Sequence, residues 1–329
     1  MRVVSGIQPS GDVHLGNYFG AIRQFLTLEE EHECFFFVAD YHALTTVRDG
    51  EALRRRSIDC VRDYLALGLD GEKAAIFLQS DVPELTELAW VLSTVTPLKL
   101  LEGCEAYKEK IARGLPPDHG LFAYPVLMAA DILIYRSELV PVGRDQQQHV
   151  EVACEIAKRF NKLYGEVFRI PKAYMIDRVA IITGTDGRKM SKSFGNTIGV
   201  FDTDEEVRAK VMGIQTNSQA IVAPRDPLAE SVFALFRLFA DDEEYAATQG
   251  DFQTAKIGNR EVKKRLIELV NGHFAEARRR YRELEANPQR VWDVLAKGRE
   301  KARGVARETL ARVREAVGLS GKPGAGQGV

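Results

Sequence analysis

The sequence predicts an α/β protein with a Rossmann-like, doubly wound parallel sheet, followed by a region built only of helices. In the first half, short apolar segments alternate with segments of helical periodicity, which is typical of βαβ units and a parallel sheet. After Ser193 the segments of strand type stop and only helical patterns continue. A length of 329 residues also favours two domains, because single cores stop growing at roughly 250–300 residues.

Three strands and four helices can be placed in the first half. Strands are predicted over 3–7, 34–39 and 74–79, and the second of them, CFFFVA, is apolar throughout, as expected for burial on both faces. Helices are predicted where apolar residues recur with helical spacing. They cover 16–30, 51–67, 84–95 and 124–135.

The second half is predicted to be entirely helical. Its helices cover 203–213, 228–240, 254–286 and 289–317. Thr203 and the acidic residues that follow it form a typical helix start. The tail 320–329 is rich in glycine and proline and is expected to be disordered.

Charge is distributed unevenly along the chain. The net charge of −2 combines residues 1–252, with 27 basic and 38 acidic side chains, and residues 253–329, with 18 basic and 9 acidic side chains. A basic region after an acidic one suggests a polyanionic partner such as nucleic acid. Solvated faces of arginine-rich helices would give the same excess, so both interpretations stay open at this point.

The composition argues against several classes of protein. No apolar segment approaches the roughly 20 residues of a membrane span. The N-terminus has the pattern of a strand rather than of a signal peptide, so a cytoplasmic protein is expected. No CxxC or Cys/His cluster is present, which predicts reduced thiols and neither a structural zinc nor an iron–sulfur site. The four cysteines are Cys34, Cys60, Cys104 and Cys154.

The segment between the first strand and the first helix contains the tetrapeptide His14-Leu15-Gly16-Asn17. Ligands of doubly wound sheets bind where such loops and helix N-termini converge. Gly16 leaves room for a base or a ribose, and the helix that opens at Asn17 favours phosphate. His14 can donate a hydrogen bond to a developing oxyanion. Ordinary turn chemistry explains so short a motif equally well.

A polar loop, GTDGRKMSKS over 184–193, follows about 175 residues after that tetrapeptide. Lys189 and Lys192 are three residues apart, Arg188 adjoins them, and Ser191 and Ser193 add hydroxyl groups. Mobile cations of this kind can close on a triphosphate and neutralise charge as pyrophosphate leaves. An exposed polar loop is the alternative for a partial match, but the complete KMSKS pentapeptide before a helical region argues against it.

The predicted helix over 124–135 carries a single carboxylate, Asp131, among apolar side chains. A buried carboxylate is costly unless it has a partner. Met128 and Tyr124 lie one and two turns before Asp131 on the same helix face. This face can hold a large aromatic ring whose N–H donates to Asp131. An ion pair of Asp131 with an arginine, or a contact with a helix end, is the alternative.

These motifs together resemble the class I aminoacyl-tRNA synthetases, which have HxGN after the first strand and KMSKS before a helical domain. Four further segments are similar to the bacterial tryptophanyl-tRNA synthetases. They are SGIQPSG (5–11), ADYHALT (39–45), YPVLMAADIL (124–133) and VPVGRDQ (140–146). The similarity extends to about Leu319 and covers nearly the whole chain.

The resemblance implies a two-step ligase reaction. ATP activates L-tryptophan to tryptophanyl-adenylate, and the tryptophanyl group passes to the 3′-terminal adenosine of tRNA(Trp). Mg²⁺ would accompany ATP, held mainly by phosphates and water, and the enzyme would be a homodimer. The implied domains are a Rossmann-like catalytic domain (1–195), a helical anticodon-recognition domain (196–288), a C-terminal helix that packs back on the catalytic domain (289–319) and the tail (320–329).

The resemblance also assigns site residues by position. The catalytic group is His14, Asn17, Lys110, Lys189, Lys192 and Ser193. ATP contacts are assigned to Gln8, Pro9, Ser10, Gly16, Asn17, Gly143, Arg144, Asp145, Ala180, Lys189, Met190, Ser191, Lys192 and Ser193. Tryptophan contacts are assigned to Val4, Gln8, His42, Tyr124, Met128, Asp131 and Gln146, and no metal ligand is expected. In the helical half, contacts to tRNA phosphates fit two basic clusters, Lys263-Lys264-Arg265 and Arg278-Arg279-Arg280.

Two positions depart from the family pattern. Val4 stands where many members have an aromatic residue, and Arg144 replaces a common acidic residue. His14 is the usual first letter of the class I motif, where several tryptophan enzymes have threonine.

Three other functions are open to the sequence. A tyrosyl-tRNA synthetase shares the architecture but reads a hydroxyl group in its pocket. A small-molecule nucleotidylyltransferase does not need the long basic helices. A non-catalytic tRNA-binding protein does not need the intact motif residues His14, Asn17, Lys189 and Lys192.

Overall fold

The structure is a computed structural model, which describes residues 1–9, 11–112, 114, 116–143, 147–175, 182–216 and 226–319. The strands of the described residues are β1 (Arg2–Ile7), β2 (Glu33–Val38), β3 (Ala75–Leu78), β4 (Leu139–Val142) and β5 (Lys172–Met175). They form one parallel sheet in the order β3-β2-β1-β4-β5. This order confirms the predicted Rossmann-like sheet, which is wound outward from β1 in both directions.

The strand order reverses at β1, which makes β1 the topological switch point of the sheet. β1 pairs with β2 from Arg2, opposite Glu33, to Ile7, opposite Val38. On its other side, β1 pairs with β4 at Val3, opposite Leu139, near the start of both strands. A crevice can therefore open between the carboxyl ends of β1 and β4, where doubly wound sheets bind their ligands.

Helices cover both faces of the sheet. The helix after β1 has three consecutive parts: α1 (Leu15–Asn17), a π-helical turn (Tyr18–Ile22) and α2 (Arg23–Glu31). The other helices of the sheet region are α3 (Asp40–Ala43), α4 (Gly50–Ala66), α5 (Glu84–Ser93), α6 (Leu98–Glu102), α7 (Glu105–Ala112), α8 (His119–Ile134) and α9 (Gln147–Tyr164). After the sheet follow α10 (Asp204–Met212), α11 (Ser231–Phe236), α12 (Asp242–Gln253), α13 (Asn259–Ala286) and α14 (Gln289–Ala316).

Side chains of β2 alternate between two hydrophobic cores, one on each face of the sheet. Phe36 belongs to the first core, with residues of α2, α4 and α13. Phe35 and Phe37 belong to the second core, with residues of α5, α8 and α9. All three rings are at most 6% exposed, and burial of one such side chain contributes about 1.5–3 kcal/mol. The apolar segment CFFFVA thus forms a strand that is buried on both faces, as predicted.

The helical region agrees with the prediction at α10 and differs at α13. Thr203 caps α10, because its Oγ1 accepts from the Glu206 N–H while the Glu206 carboxylate accepts from the Thr203 N–H. The helix predicted over 254–286 begins at Asn259 instead, and an unpredicted helix, α12, precedes it. Ala255 has a left-handed backbone with a φ of 57°. A helix cannot continue through this conformation, so α12 and α13 are separate.

Two other predicted helices are interrupted. The one over 16–30 contains the π-helical turn, an irregularity that is frequent at functional sites. The one over 228–240 begins as a 3-10 turn over Pro227–Ala229 and continues as the short helix α11.

α14 joins the two cores by crossing the edge of the sheet at β3. Leu295, in its first half, belongs to the first core, and Ala302, in its second half, belongs to the second. The crossing lies at Gly298, where a Cβ would be 1.9 Å from the carbonyl oxygen of Ile76. The helix therefore covers the outer edge of β3, which would otherwise be open to pairing with another chain.

None of the described helices is both long enough and apolar enough to cross a membrane. The tail 320–329 lies outside the described residues. The domain boundaries given above stay predictions.

We predict that Gly298→Ala destabilises the protein, because the added methyl group must push α14 away from β3. Overpacking of this kind costs about 1–3 kcal/mol. Gly304→Ala is the matched control: Gly304 is exposed on the same helix, and a Cβ there meets no atom within 4 Å. Alanine in a helix is favoured over glycine by about 0.5–1 kcal/mol. Urea unfolding should give opposite signs for the two variants, and a similar change in both would contradict the close crossing.

Candidate active site

A cavity of about 570 Å³ opens at the carboxyl ends of β1 and β4. Its walls come from these two strands, the π-helical turn and the helices α3, α8 and α9. The cavity therefore occupies the switch point of the sheet. Eight of the residues assigned by position line it: Val4, Gln8, Asn17, His42, Tyr124, Met128, Asp131 and Gly143.

Asp131 of α8 lines this cavity and is only 2% exposed. Its carboxylate accepts a hydrogen bond from His42 Nε2 at 2.9 Å, and Gln79 Nε2 lies 2.9 Å from each of its oxygens. Burial raises the pKa of Asp131, and the hydrogen bonds from His42 and Gln79 act in the opposite direction. In the described part of the chain its partners are thus an imidazole and an amide, rather than the arginine or helix end of the alternative interpretation.

Tyr124 forms the next part of the wall, one turn before Met128 on α8. Its phenol oxygen lies 2.8 Å from Nε2 of His149, and its ring meets the ring of His42 edge to face, with centroids 6.3 Å apart. All three side chains of this group are buried. The wall therefore presents ring surfaces to a ligand, with polar atoms held at fixed positions.

Sequence reasoning missed His149, which lines this wall, and Gln79, which lies behind it and bonds to Asp131. Gln79 directly follows β3, and a polar residue at the carboxyl end of a parallel strand is a recognisable signal for a site. His149 lies one helical turn after the assigned segment 143–146, so the spacing of α9 could have identified it.

His14 caps the first helix. Its Nδ1 accepts from the Gly16 N–H at 3.1 Å, and Asn17 Oδ1 accepts from the His14 N–H at 3.2 Å. Burial lowers the pKa of His14 to about 4, and the charge of Lys192 contributes to this shift. At neutral pH the imidazole is therefore uncharged, and because Nδ1 accepts, the ring proton is on Nε2. His14 is thus a neutral hydrogen-bond donor at a helix N-terminus.

A short antiparallel bridge brings the two motifs together. Leu15 N donates to Ile198 O at 3.0 Å, Val200 N donates to Val13 O at 2.9 Å, and His14 pairs with Gly199. This bridge joins the loop that contains HLGN to the chain immediately after KMSKS. Two motifs that are far apart in the sequence consequently form one site.

Asn196 organises the KMSKS loop from within. This buried side chain accepts from the Ser191 N–H at 2.8 Å and donates to Asp186 and to the Lys189 carbonyl at 2.7 and 3.1 Å. Met190 packs into the first core at 4% exposure, and its N–H donates to Ile182 O. The loop is therefore anchored at Asp186 and at the consecutive residues 189–191, an arrangement that sequence reasoning missed because Asn196 lies beyond the motif.

The charged side chains of this loop differ in what they can do. Lys189, Lys192 and Ser193 are exposed. The pKa of Lys192 is lowered because its ammonium group is partly desolvated, and the charge of Asp12 opposes this shift. Arg188 instead pairs with Asp186 at 2.6 Å and lies over the ring of Phe194. The charge of Arg188 is thus already paired within its own loop.

Several assigned residues cannot be placed. Ser10, Arg144, Asp145, Gln146 and Ala180 lie outside the described residues. Lys110 belongs to α7, but its side chain is likewise outside the described part.

The structure corrects the assignment of the basic clusters. Lys263 and Arg278 are each 8% exposed. Lys263 Nζ donates to the carbonyls of Met212 and Ile214 at the end of α10, and Arg278 Nε donates to the carbonyl of Val200. Both cations satisfy backbone oxygens inside the protein, so the prediction that they contact tRNA phosphates is wrong. The exposed members Lys264, Arg279 and Arg280 form ion pairs along their own helix.

The thiols and carboxylates give no indication of a metal site. Among the described residues, no group of three or more His, Cys, Asp or Glu could hold a metal ion. All four cysteines are free thiols, and burial raises the pKa of Cys34 and Cys60 to about 12.

Comparison with known proteins gives the family. The sequence model for tRNA synthetases class I (W and Y) matches residues 1–275. The chain belongs to this family. It is 49% identical over 319 residues to tryptophan–tRNA ligase of Rhodopirellula baltica, and the match covers 97% of this chain and 100% of that protein. It is 46% identical to the tryptophan–tRNA ligase of Fusobacterium nucleatum, with 97% and 98% covered.

Comparison with solved structures gives the same family. The crystal structure of tryptophanyl-tRNA synthetase from Campylobacter jejuni complexed with ADP and tryptophan matches with a TM-score of 0.92 and 44% identity, covering 97% of this chain and 100% of that chain. The chain is therefore a class I aminoacyl-tRNA synthetase, in which an α/β sheet domain precedes a helical region. The family and fold predicted from the sequence are confirmed.

We predict that His14 titrates with a pKa of about 4 and is neutral at physiological pH. NMR titration of the labelled imidazole ring measures this value directly. Lys192→Ala should raise the His14 pKa, because a nearby positive charge is removed. Arg188→Ala is the control, since Arg188 is neutralised by Asp186. A wild-type pKa near the usual value of about 6.5 would contradict the role of His14 as a neutral donor.

Proposed function

We propose that this synthetase activates L-tryptophan with ATP and transfers it to tRNA(Trp), as a tryptophan–tRNA ligase. The observation that carries the proposal is Asp131, a buried carboxylate in a cavity lined largely by apolar side chains. The indole N–H is a hydrogen-bond donor only, which an ionised carboxylate satisfies. An analogue without this N–H leaves the carboxylate incompletely paired, a penalty that can reach ~10⁴-fold.

Tyrosine fits the same wall less well. A phenol group both donates and accepts, so its recognition calls for a donor as well as an acceptor. The two side chains that donate toward Asp131, His42 and Gln79, are already bonded to its carboxylate. The hydrogen-bonding pattern therefore favours a donor-only side chain such as indole.

The remaining wall residues orient the amino acid. We assign contacts with the indole ring to Val4, His42 and Met128, which line the cavity beside Asp131. The α-ammonium and carboxylate groups would meet the polar atoms of Tyr124, Gln8 and, by family position, Gln146. His149 would fix the phenol group of Tyr124 through their 2.8 Å contact.

In the activation step, the tryptophan carboxylate attacks the α-phosphorus of ATP. An oxygen–phosphorus bond forms, the bond between the α-phosphorus and the bridging oxygen breaks, and pyrophosphate leaves. His14 donates its Nε2 proton as a hydrogen bond to a phosphate oxygen, while Lys189 and Lys192 neutralise the charge on the leaving group. Asn17 and Ser193 would complete these contacts, and no residue needs to form a covalent intermediate.

ATP would lie along the motifs at the ends of β1 and β4. We assign its contacts to the described residues Gln8, Pro9, Gly16, Gly143, Met190 and Ser191, and by family position to Ser10, Lys110, Arg144, Asp145 and Ala180. Mg²⁺ would enter with ATP, held by phosphate oxygens and water, and would neutralise phosphate charge. The absence of a carboxylate or histidine cage among the described residues is compatible with this mode.

The helical region would supply recognition of tRNA. We propose a catalytic domain over 1–195, an anticodon-recognition domain over 196–288 and a returning helix over 289–319, whose α14 packs on β3 and α5. Family membership also favours a homodimer, and tRNA as a substrate favours a cytoplasmic location. Because Lys263 and Arg278 are buried, phosphate contacts must come from other cations of this region.

Amino-acid-dependent exchange between ATP and pyrophosphate tests the substrate. We expect that, of the twenty amino acids offered singly, only tryptophan supports rapid exchange, because only its side chain combines a large aromatic ring with a donor-only N–H. Exchange driven by tyrosine alone, or by no amino acid, would refute the proposal.

Replacement of the second KMSKS lysine separates catalysis from binding. Lys192→Ala should slow formation of the adenylate in single turnovers by about a hundredfold or more, because charge on the departing pyrophosphate loses a partner. The dissociation constant for tryptophan should barely change. Lys256→Ala, at an exposed lysine of the helical region, is the control for surface charge. Equal losses in rate and in tryptophan affinity would argue against the assigned role.

A further inference from the structure

Gln79 is buried next to Asp131 without being part of the cavity wall. It begins the 3-10 turn Gln79–Asp81 that follows β3, and it is 1% exposed. Its Nε2 lies 2.9 Å from both oxygens of Asp131. Gln79 can thus influence a ligand only through the groups that it holds, which are Asp131 and the first turn of α3.

The orientation of the Gln79 amide is determined by its surroundings. Its Oε1 accepts from the N–H groups of Tyr41 and His42, at 3.1 and 3.3 Å, in the first turn of α3. A flipped amide would place its NH₂ group against these two donors and its oxygen against a carboxylate. Gln79 therefore presents a donor to Asp131, and it connects Asp131 to the same short helix that supplies His42.

Among the described residues, these contacts occupy Oδ2 of the Asp131 carboxylate more fully than Oδ1. An ionised carboxylate has about four acceptor positions. Gln79 bonds to both oxygens of Asp131, and His42 bonds to Oδ2. Oδ1 has fewer partners than Oδ2 and can therefore accept a hydrogen bond from a ligand.

We propose that Gln79 is a positioning residue for substrate selection, which orients the Asp131 carboxylate so that one acceptor position faces an N–H of the aromatic substrate. This inference rests on the proposed activation of tryptophan. It assigns part of the specificity of the site to a residue that the substrate does not contact.

Loss of Gln79 should also change the charge state of Asp131. The titratable groups that face Asp131 are His42 and Asp40 of α3 and Tyr135 at the end of its own helix. Burial and the Asp40 charge raise the pKa of Asp131, whereas the bonds from His42 and Gln79 lower it. Removal of the Gln79 donor therefore raises the pKa of Asp131. As pH falls, the carboxylate of the variant would become protonated at a higher pH than that of the wild type, and it would then no longer accept from an N–H group.

The first test compares tryptophan with its benzothiophene isostere, β-(3-benzothienyl)-L-alanine, in which sulfur replaces the N–H. The measured quantity is the ratio of kcat/KM for the two amino acids in ATP–pyrophosphate exchange, as a function of pH. In Gln79→Met we expect this ratio to fall by about ten- to a hundredfold. The acid limb of kcat/KM for tryptophan should move to higher pH, and the KM for ATP should stay unchanged.

A second variant, Gln79→Glu, keeps the side-chain length and the acceptor for the α3 backbone. Two adjacent carboxylates do not both ionise readily, so the introduced carboxyl group and Asp131 would share one proton. When this proton is on the introduced carboxyl group, that group can donate to Asp131 as the native amide does. Discrimination should then persist at low pH and weaken as pH rises, opposite to Gln79→Met. Asn161→Leu is the control: it removes a buried amide that holds Phe168 and Glu166, and it should lower stability without changing the ratio.

The outcomes distinguish the inference from the proposed function. If the wild-type enzyme does not activate tryptophan, the proposed function fails. If it does, and folded Gln79→Met keeps the wild-type ratio and pH profile, the role of Gln79 is refuted. If Gln79→Met does not fold, the test depends on Gln79→Glu. A ratio of kcat/KM with the same pH dependence as in the wild type overturns the inference, and loss of discrimination at high pH supports it.

Discussion

The backbone bridge between residues 13–15 and 198–200 holds the active site together. Val13, Ile198 and Val200 are buried in the first core, so the bridge is shielded from competing water. It places the N-terminus of the first helix beside the KMSKS loop. The buried guanidinium of Arg278 donates to the carbonyl of Val200, which attaches the long helix α13 to the same bridge. The region of the two motifs and the helical region are thus joined through one bridge.

Under the proposed function, the site has an amino-acid end and a nucleotide end, and these differ in electrostatic character. At the amino-acid end, a carboxylate accepts within an apolar cavity. At the nucleotide end, a neutral histidine, a helix N-terminus and two lysines offer donors and positive charge. The neutral state of His14 follows from its burial next to Lys192, since a second fixed cation there would be costly without a bound phosphate. In the proposed reaction, ATP would supply the negative charge that complements these donors and cations.

Local patterns in the sequence were sufficient for most of the fold. The apolar segment CFFFVA predicted a buried strand, and Thr203 predicted the start of α10, because burial and capping depend on residues close in sequence. Position within the motifs similarly brought Asp131, Met128 and Tyr124 to one cavity. The motifs did not lead to Gln79 and Asn196, since Gln79 bonds to a partner 52 residues away and Asn196 itself lies beyond the motif. Lys263 was misjudged because a lysine in a basic cluster gives no sign that its ammonium group turns inward to backbone carbonyls.

Because α14 crosses the sheet at Gly298, the edge of the sheet is covered late during synthesis of the chain. β3 ends at Leu78, whereas the helix that covers it begins at Gln289, so the sheet edge is synthesised long before its cover. Throughout that interval the nascent chain carries an open, apolar strand edge, which is the kind of surface that associates with other chains. Protection of this edge thus depends on a helix that is distant in sequence, and loss of α14 would expose the edge again.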